Sequence, residues 1–241
     1  MKTHRLMPIG VSCVWLLTVT SAKAQQAPQT YSFGIVTIAV PPPADYTEAF
    51  AGSPRLREYF AGPTKAIADV LAGYIPAKAL PRLRQTGRPE EIDSFALLGT
   101  SPELRSVTVT TDYFEAMAKK LRTGLGDALA RSEPDIAAAV AEIGKRTGSD
   151  VRTQGSQALG IFDDRANRIG ILLATPYTFD GTPISILSAN TLIRVRGRLL
   201  FAYVYTRHLE PEAVTRLASD ARSWTDAIFT ANGEVPLRQR R

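Results

Sequence analysis

Hydrophobic positions along this chain recur at strand-like and helix-like spacings, and those spacings predict most of its elements. Ser32 to Val40 is a β-branched run stopped by Pro41-Pro42-Pro43. Proline can neither donate to a ladder nor continue one, so a strand is expected to end there. Ser53-Pro54 places a capping serine before proline at the first helical position, which predicts a short helix with Leu56, Tyr59 and Phe60 on its inner face. Ile67, Val70, Leu71 and Tyr74 repeat the helical spacing and predict a second short helix. Residues 76–91 carry Pro76, Pro81, Gly87 and Pro89 among four positive charges and read as a surface loop or edge.

Two strand-like runs follow, Phe95–Leu98 and Val107–Thr110. Thr111-Asp112 then caps a helix with the apolar stripe Phe114, Met117, Leu121, Leu125 and Ala128. Gly124 and Gly126 weaken that helix by about 1 kcal/mol each relative to alanine, so a bend is expected there. Ser132-Glu133-Pro134 opens a further helix with Ile136, Val140 and Ile143 inward, and 144–155 is a turn region. Strands are expected near 157–163, 168–174 and 184–195. They are separated by a polar turn at Asp163-Asp164 and by a loop holding Pro176, Gly181 and Pro183.

The last third carries the sharpest pattern. Arg196-Gly197 fits a two-residue hairpin turn with glycine where a positive φ is wanted. The simplest register pairs Val195 with Arg198, Ile193 with Leu200 and Ala189 with Val204 on one face. The other face pairs Arg194 with Leu199, Leu192 with Phe201, Asn190 with Tyr203 and Ser188 with Tyr205. Leu199 to Tyr205 is apolar on both sides, which predicts a central strand covered twice. Pro211 starts a helix in which Val214, Leu217, Ala221, Trp224 and Ile228 form one stripe, and Asn232-Gly233 stops it. Docked on the hairpin, that stripe buries Trp224.

The N-terminus changes how the composition is read. Lys2 and Arg5 precede the apolar run Met7–Val19, and Ser21-Ala22-Lys23-Ala24 ends in a small-x-small pattern, as in a secretory signal peptide cleaved after Ala24. The run is short for a membrane span, and no later stretch is longer, so no transmembrane segment is expected in the mature chain. Cys13 is preceded by Gly10-Val11-Ser12 and by only part of the apolar run, which does not fit a lipobox. Cleavage removes Cys13, His4 and Trp15 and leaves 217 residues free of cysteine, with His208 and Trp224 as the only histidine and tryptophan. The formal net charge falls from +6 to +3 with the loss of Lys2, Arg5 and Lys23. Part of the remaining surplus sits in a basic tail, 234–241, so nucleic acid is not the expected partner. The expected organisation is a leader (1–24), a flexible segment (25–31) and a single domain (32–233).

This inventory removes several chemistries. One histidine and no cysteine leave no zinc, haem, copper or iron–sulfur site to be built, and no cofactor or metal is expected. Asp163-Asp164-Arg165-Ala166-Asn167 lacks the alternate-residue spacing of a calcium loop. No G-x-S-x-G elbow is present, and the stretch Gly155-Ser156-Gln157-Ala158-Leu159 departs from it. His208, between Arg207 and Glu210, reads as a capping or solvent-facing residue. Gly144-Lys145-Arg146-Thr147-Gly148 lacks P-loop order and reads as a basic helix C-terminus. Carboxylates such as Asp163, Asp164 and Asp180 are the candidates for a hydrolase acting on envelope material, because the spacing such chemistry needs is a tertiary quantity.

The second face of the hairpin gathers Ser188, Asn190, Arg194, Tyr203 and Tyr205. Phenol, amide and guanidinium groups together suit a small anionic or aromatic ligand. The plainer alternative has the rings packed beneath a helix with their hydroxyls reaching solvent or backbone.

The stretch from Asn190-Thr191-Leu192 through Arg196-Gly197-Arg198 and Phe201-Ala202-Tyr203-Val204-Tyr205 to Trp224 and Ala231-Asn232 resembles a group of exported bacterial proteins without assigned function. Its order of elements is also similar to the PsbP-like fold. That resemblance implies an antiparallel sheet between helices and an accessory or binding role, with 112–148 as an insertion beyond the fold. The expectation is an α+β domain of five to seven mostly antiparallel strands with helices on both faces. It would be a periplasmic or secreted binding or accessory protein of the cell envelope rather than an enzyme. Its partner would be an unknown small ligand or an envelope protein; a subunit role would show as an exposed apolar patch.

Overall fold

The computed structural model describes residues 27–61, 68–86 and 92–235. Its centre is an eight-stranded antiparallel sheet, with a two-stranded hairpin beside it. The hairpin is β1 (Gln29–Phe33) and β2 (Val36–Val40), paired from Gln29↔Val40 to Phe33↔Val36. The expected run 32–40 is therefore two strands turning at Gly34-Ile35. β1 begins inside the segment read as a flexible leader. Residues 1–26, which hold the expected leader, and residues 236–241 of the expected basic tail lie outside the described residues.

The sheet runs β3 (Tyr46–Glu48), β4 (Asp69–Pro76), β5 (Ser94–Thr100), β10 (Arg198–Thr206), β9 (Thr182–Val195), β8 (Arg168–Phe179) and β6 (Val151–Thr153); β7 (Gln157–Arg165) pairs the first half of β8. The fold class is α+β, as expected, with eight strands in this sheet rather than five to seven. One addition is β4, where helical spacing predicted a helix. Its interior residues are buried throughout, so its polarity does not alternate and the three-and-four spacing within it is incidental.

Other boundaries also moved. Ser53-Pro54 does open a helix, α1 (Pro54–Ala61), and Ser53 Oγ accepts from Leu56 N at 3.3 Å. Within the expected loop 76–91, residues 77–79 form a 3₁₀ turn and Leu80–Thr86 a short helix, α2; 87–91 lie outside the described residues. Val107–Thr110 is not a strand: Val109 N makes a single cross-over bond to Gly197 O at 2.8 Å. The two expected helices from 111 onward are one element, α3 (Thr111–Thr147), capped by Thr110 and broken in its backbone at Gly124 (φ −134°, ψ 27°). The bend falls where the glycines put it.

Asp163 and Asp164 are not a turn. They lie in β7, and the chain reverses at Ala166-Asn167 because Arg165 pairs Arg168. The proline-bearing loop is instead strand on both sides, with Pro176 opposite Ser185 and Pro183 opposite Thr178, and it closes tightly at Asp180-Gly181.

The C-terminal hairpin adopts the expected register along its whole length, from Val195↔Arg198 to Ser188↔Tyr205. Arg196 and Gly197 take φ of 48° and 71°, the two positive values of a type I′ turn. The helix α4 (Pro211–Ala231) packs on the face holding Ala189, Ile193, Leu200, Ala202 and Val204. Trp224 is 1% exposed and its Nε1 donates to Pro41 O at 2.9 Å. Asn232 continues the helix into the small hairpin: its Oδ1 accepts from Ala39 N at 2.9 Å and its Nδ2 donates to Ala39 O at 2.7 Å. Among the described residues no helix is long and apolar enough to cross a membrane.

Candidate functional site

Side chains alternate across a strand, so the register fixes what the second face of the sheet presents. One row across it reads Leu97, Tyr203, Asn190, Ile171; the next reads Phe95, Tyr205, Ser188, Leu173. α3 passes over this face. Its first turns are seated on one end of the sheet, where Phe114 and Ala118 bury against Val109, Ile169 and Leu199. Its last turn comes close to the opposite end, with Ser149 N donating to Gly144 O at 3.0 Å next to β6. Arg122 ties the helix to β7 through Asp164 at 2.8 Å, and Glu115 holds the same guanidinium at 3.0 Å.

Between these supports the inner stripe of α3 does not reach the sheet. A cavity of about 850 Å³ separates them. Its roof is Leu121, Leu125, Leu129 and Ile136 of α3, and its floor includes Leu97, Ile171, Leu173, Tyr203 and Tyr205. Tyr59 and Phe60 of α1 and Phe95 of β5 add aromatic wall. This volume lies in the range of sites that enclose a small molecule, and the walls are mainly aliphatic and aromatic, as such sites are.

The rings on the floor are ordered by one another. Phe95 stacks on Tyr205 with centroids 4.4 Å apart and planes at 16°. Tyr203 lies 6.2 Å from Tyr205 and 6.1 Å from Phe201, nearly parallel to both. Burial pushes the Tyr203 and Tyr205 hydroxyls above the ordinary phenol range, and burial does the same to Tyr177 against a hydrogen bond from Thr175. These phenols stay protonated at neutral pH. Asn190 Nδ2 donates to Ser188 Oγ at 3.0 Å, and the Ser156 and Thr175 hydroxyls pair at 2.8 Å.

Four of the five residues singled out in the sequence, Ser188, Asn190, Tyr203 and Tyr205, line this cavity. Arg194 does not. It lies on the same face but nearer the hairpin turn, where Val109 crosses the sheet, and its Nε donates to Val109 O at 2.7 Å. Its guanidinium anchors that crossing. The sequence reading also missed most of the walls, since they come from α1, β5, α3 and β8. One signal was present: the stripe Phe114 to Ala128 continues through Leu129 and Ile136, longer than the hairpin face could cover.

The three candidate carboxylates go to separate places. Asp163, 1% exposed, pairs Arg168 at 2.8 Å and Arg165 at 3.1 Å beneath α4. Asp164 takes Arg122, and Asp180 at its turn accepts from Asp150 N at 2.7 Å. His208 is exposed, with its backbone N donating to Thr206 Oγ1 at 3.2 Å. No group of three His, Cys, Asp or Glu among the described residues is placed to hold a metal ion.

No protein-family model matches the chain, and no curated protein matches its sequence. Among solved structures it is similar to a variant of the protein Mog1, at 10% identity over 86% of this chain and 93% of that one, with a TM-score of 0.29. It is also similar to the Saccharomyces cerevisiae Ran-binding protein Mog1p, at 8% identity over 86% and 94%, with a TM-score of 0.26. Likeness at this level brings neither a function nor a partner to this chain.

Proposed function

We propose that this is an exported, periplasmic protein of the cell envelope that binds a small, largely apolar molecule between its sheet and α3, in a non-catalytic carrier or accessory role. The observation that carries this reading is the cavity of about 850 Å³ walled by the apolar stripe of α3 and the aromatic floor of the sheet. A stripe of leucines held off its own sheet leaves apolar surface that a ligand would remove from water. The N-terminal pattern around Met7–Val19 and Ala24 supports export, and the resemblance of the sequence to the PsbP-like order of elements is in keeping with an accessory role. Asp163, Asp164 and Asp180 each serve a different local partner, which favours binding over carboxylate hydrolysis.

Expression with its own leader, osmotic release without detergent and native mass spectrometry test this directly. The expected product starts at Gln25 and carries a reproducible extra mass, or takes up N-phenyl-1-naphthylamine with a rise in fluorescence. Retention in the cytoplasm with the leader attached would overturn export. A bare mass together with no uptake of that probe would overturn ligand binding.

A further inference from the structure

The cavity floor is apolar at its margins and polar at its centre, and this arrangement constrains what fills it. Tyr203 and Tyr205 stand two residues apart on β10, so both project to the same side, with Asn190 and Ser188 directly opposite on β9. Around that group lie Leu97, Ile171, Leu173 and Ile186. Asn190 and Ser188 bond each other, and Ser156 and Thr175 bond each other. Neither the Tyr203 nor the Tyr205 hydroxyl has a hydrogen-bond partner among the described residues. Both tyrosines line the cavity, so their hydroxyls are free to donate to an acceptor supplied from outside the chain.

The charged groups around the cavity are Asp180 and Arg207, and both have partners already. A ligand charge at the centre of the floor would therefore be buried without a counter-ion, which is strongly disfavoured. We propose, resting on the ligand-binding reading above, that the cavity selects an uncharged, elongated apolar molecule carrying a hydrogen-bond-accepting oxygen near its middle. A ketone, quinone or ester carbonyl qualifies, and it would receive the Tyr203 and Tyr205 hydroxyls while apolar arms extend to both sides. The phenols supply direction and the aliphatic walls supply contact area.

A matched series separates this proposal from the site itself. N-phenyl-1-naphthylamine bound to the mature protein is displaced by tridecane, 7-tridecanone, 2-tridecanone and tridecanoate, which share a chain length and differ in where oxygen and charge sit. The expected order places 7-tridecanone tightest, about three- to tenfold ahead of 2-tridecanone and further ahead of tridecanoate. The Tyr203→Phe/Tyr205→Phe protein, checked for an unchanged unfolding midpoint, should still bind the naphthylamine and lose the preference for the central carbonyl. Equal displacement by all four compounds, or a preference for tridecanoate, would overturn the proposal while leaving the binding site standing. No binding of the naphthylamine at all would instead remove the binding reading on which it rests. The wild-type order decides the matter even where the double variant does not fold.

Discussion

Arg168 is the residue on which the opposite face of the sheet turns. It is 0% exposed, and its guanidinium meets Asp163 at 2.8 Å and Asp226 at 2.7 Å, with Thr225 Oγ1 also accepting from it. Desolvation pulls its pKa below the usual arginine value, and Asp163 followed by Asp226 opposes that pull. Removing one member of a buried ion pair leaves the other uncompensated, a loss of about 3–5 kcal/mol. Asp163→Asn should therefore lower stability by an amount near the bottom of that range, because Asp226 remains. Urea denaturation measures it. Asp163→Asn/Arg168→Met should recover part of the loss, and a double variant no more stable than the single one would refute this account. In the sequence Asp163 reads as part of a polar turn, since only the packing of α4 makes it an interior counter-ion.

At the scale of elements, α3 shows what spacing reveals and what it omits. Its stripe and its bend at Gly124 follow from residue types, whereas its cap is Thr110, one residue before the expected Thr111-Asp112. Its glycines play different parts. An added methyl at Gly126 meets nothing within 4 Å, whereas one at Gly144 would stand 2.7 Å from Ser149 O. Gly126→Ala should accordingly stabilise the protein by about 1 kcal/mol through helix propensity. Gly144→Ala should destabilise it by forcing the last turn of α3 away from β6. Thermal unfolding of the two variants should move the midpoint in opposite directions. β4 and Val107–Thr110 show the limits of periodicity. The first is buried on both sides and so carries no alternation; the second alternates, with Val107 exposed and Val109 buried, but forms no ladder and meets the hairpin turn through Val109 N and Gly197 O.

For the whole molecule, Trp224 reports on nearly every layer at once. It bonds Pro41 after the small hairpin, meets Tyr74 of β4 edge-on at 5.5 Å and sits in the stripe of α4. In the chain from Gln25 onward it is the sole tryptophan. Unfolding followed by its fluorescence should coincide with loss of far-ultraviolet dichroism in one transition, because sheet, hairpin and α4 share one cluster. A separate early fluorescence change would mean that α4 undocks by itself.

The amino-acid sequence alone determined the α+β class, the hairpin register from Ser188 to Tyr205, the Trp224 stripe, the bend in α3 and four residues of the candidate floor. All of these are local: a turn type, an alternation or a cap acts through neighbours a few residues away. The tertiary structure decided which buried runs are strands, where Arg194 is spent and how Asp163 becomes interior. It also decided that α3 stands clear of the sheet between its two seats. A cavity is the space between surfaces brought together from distant parts of the chain, and no periodicity within either surface records the distance between them.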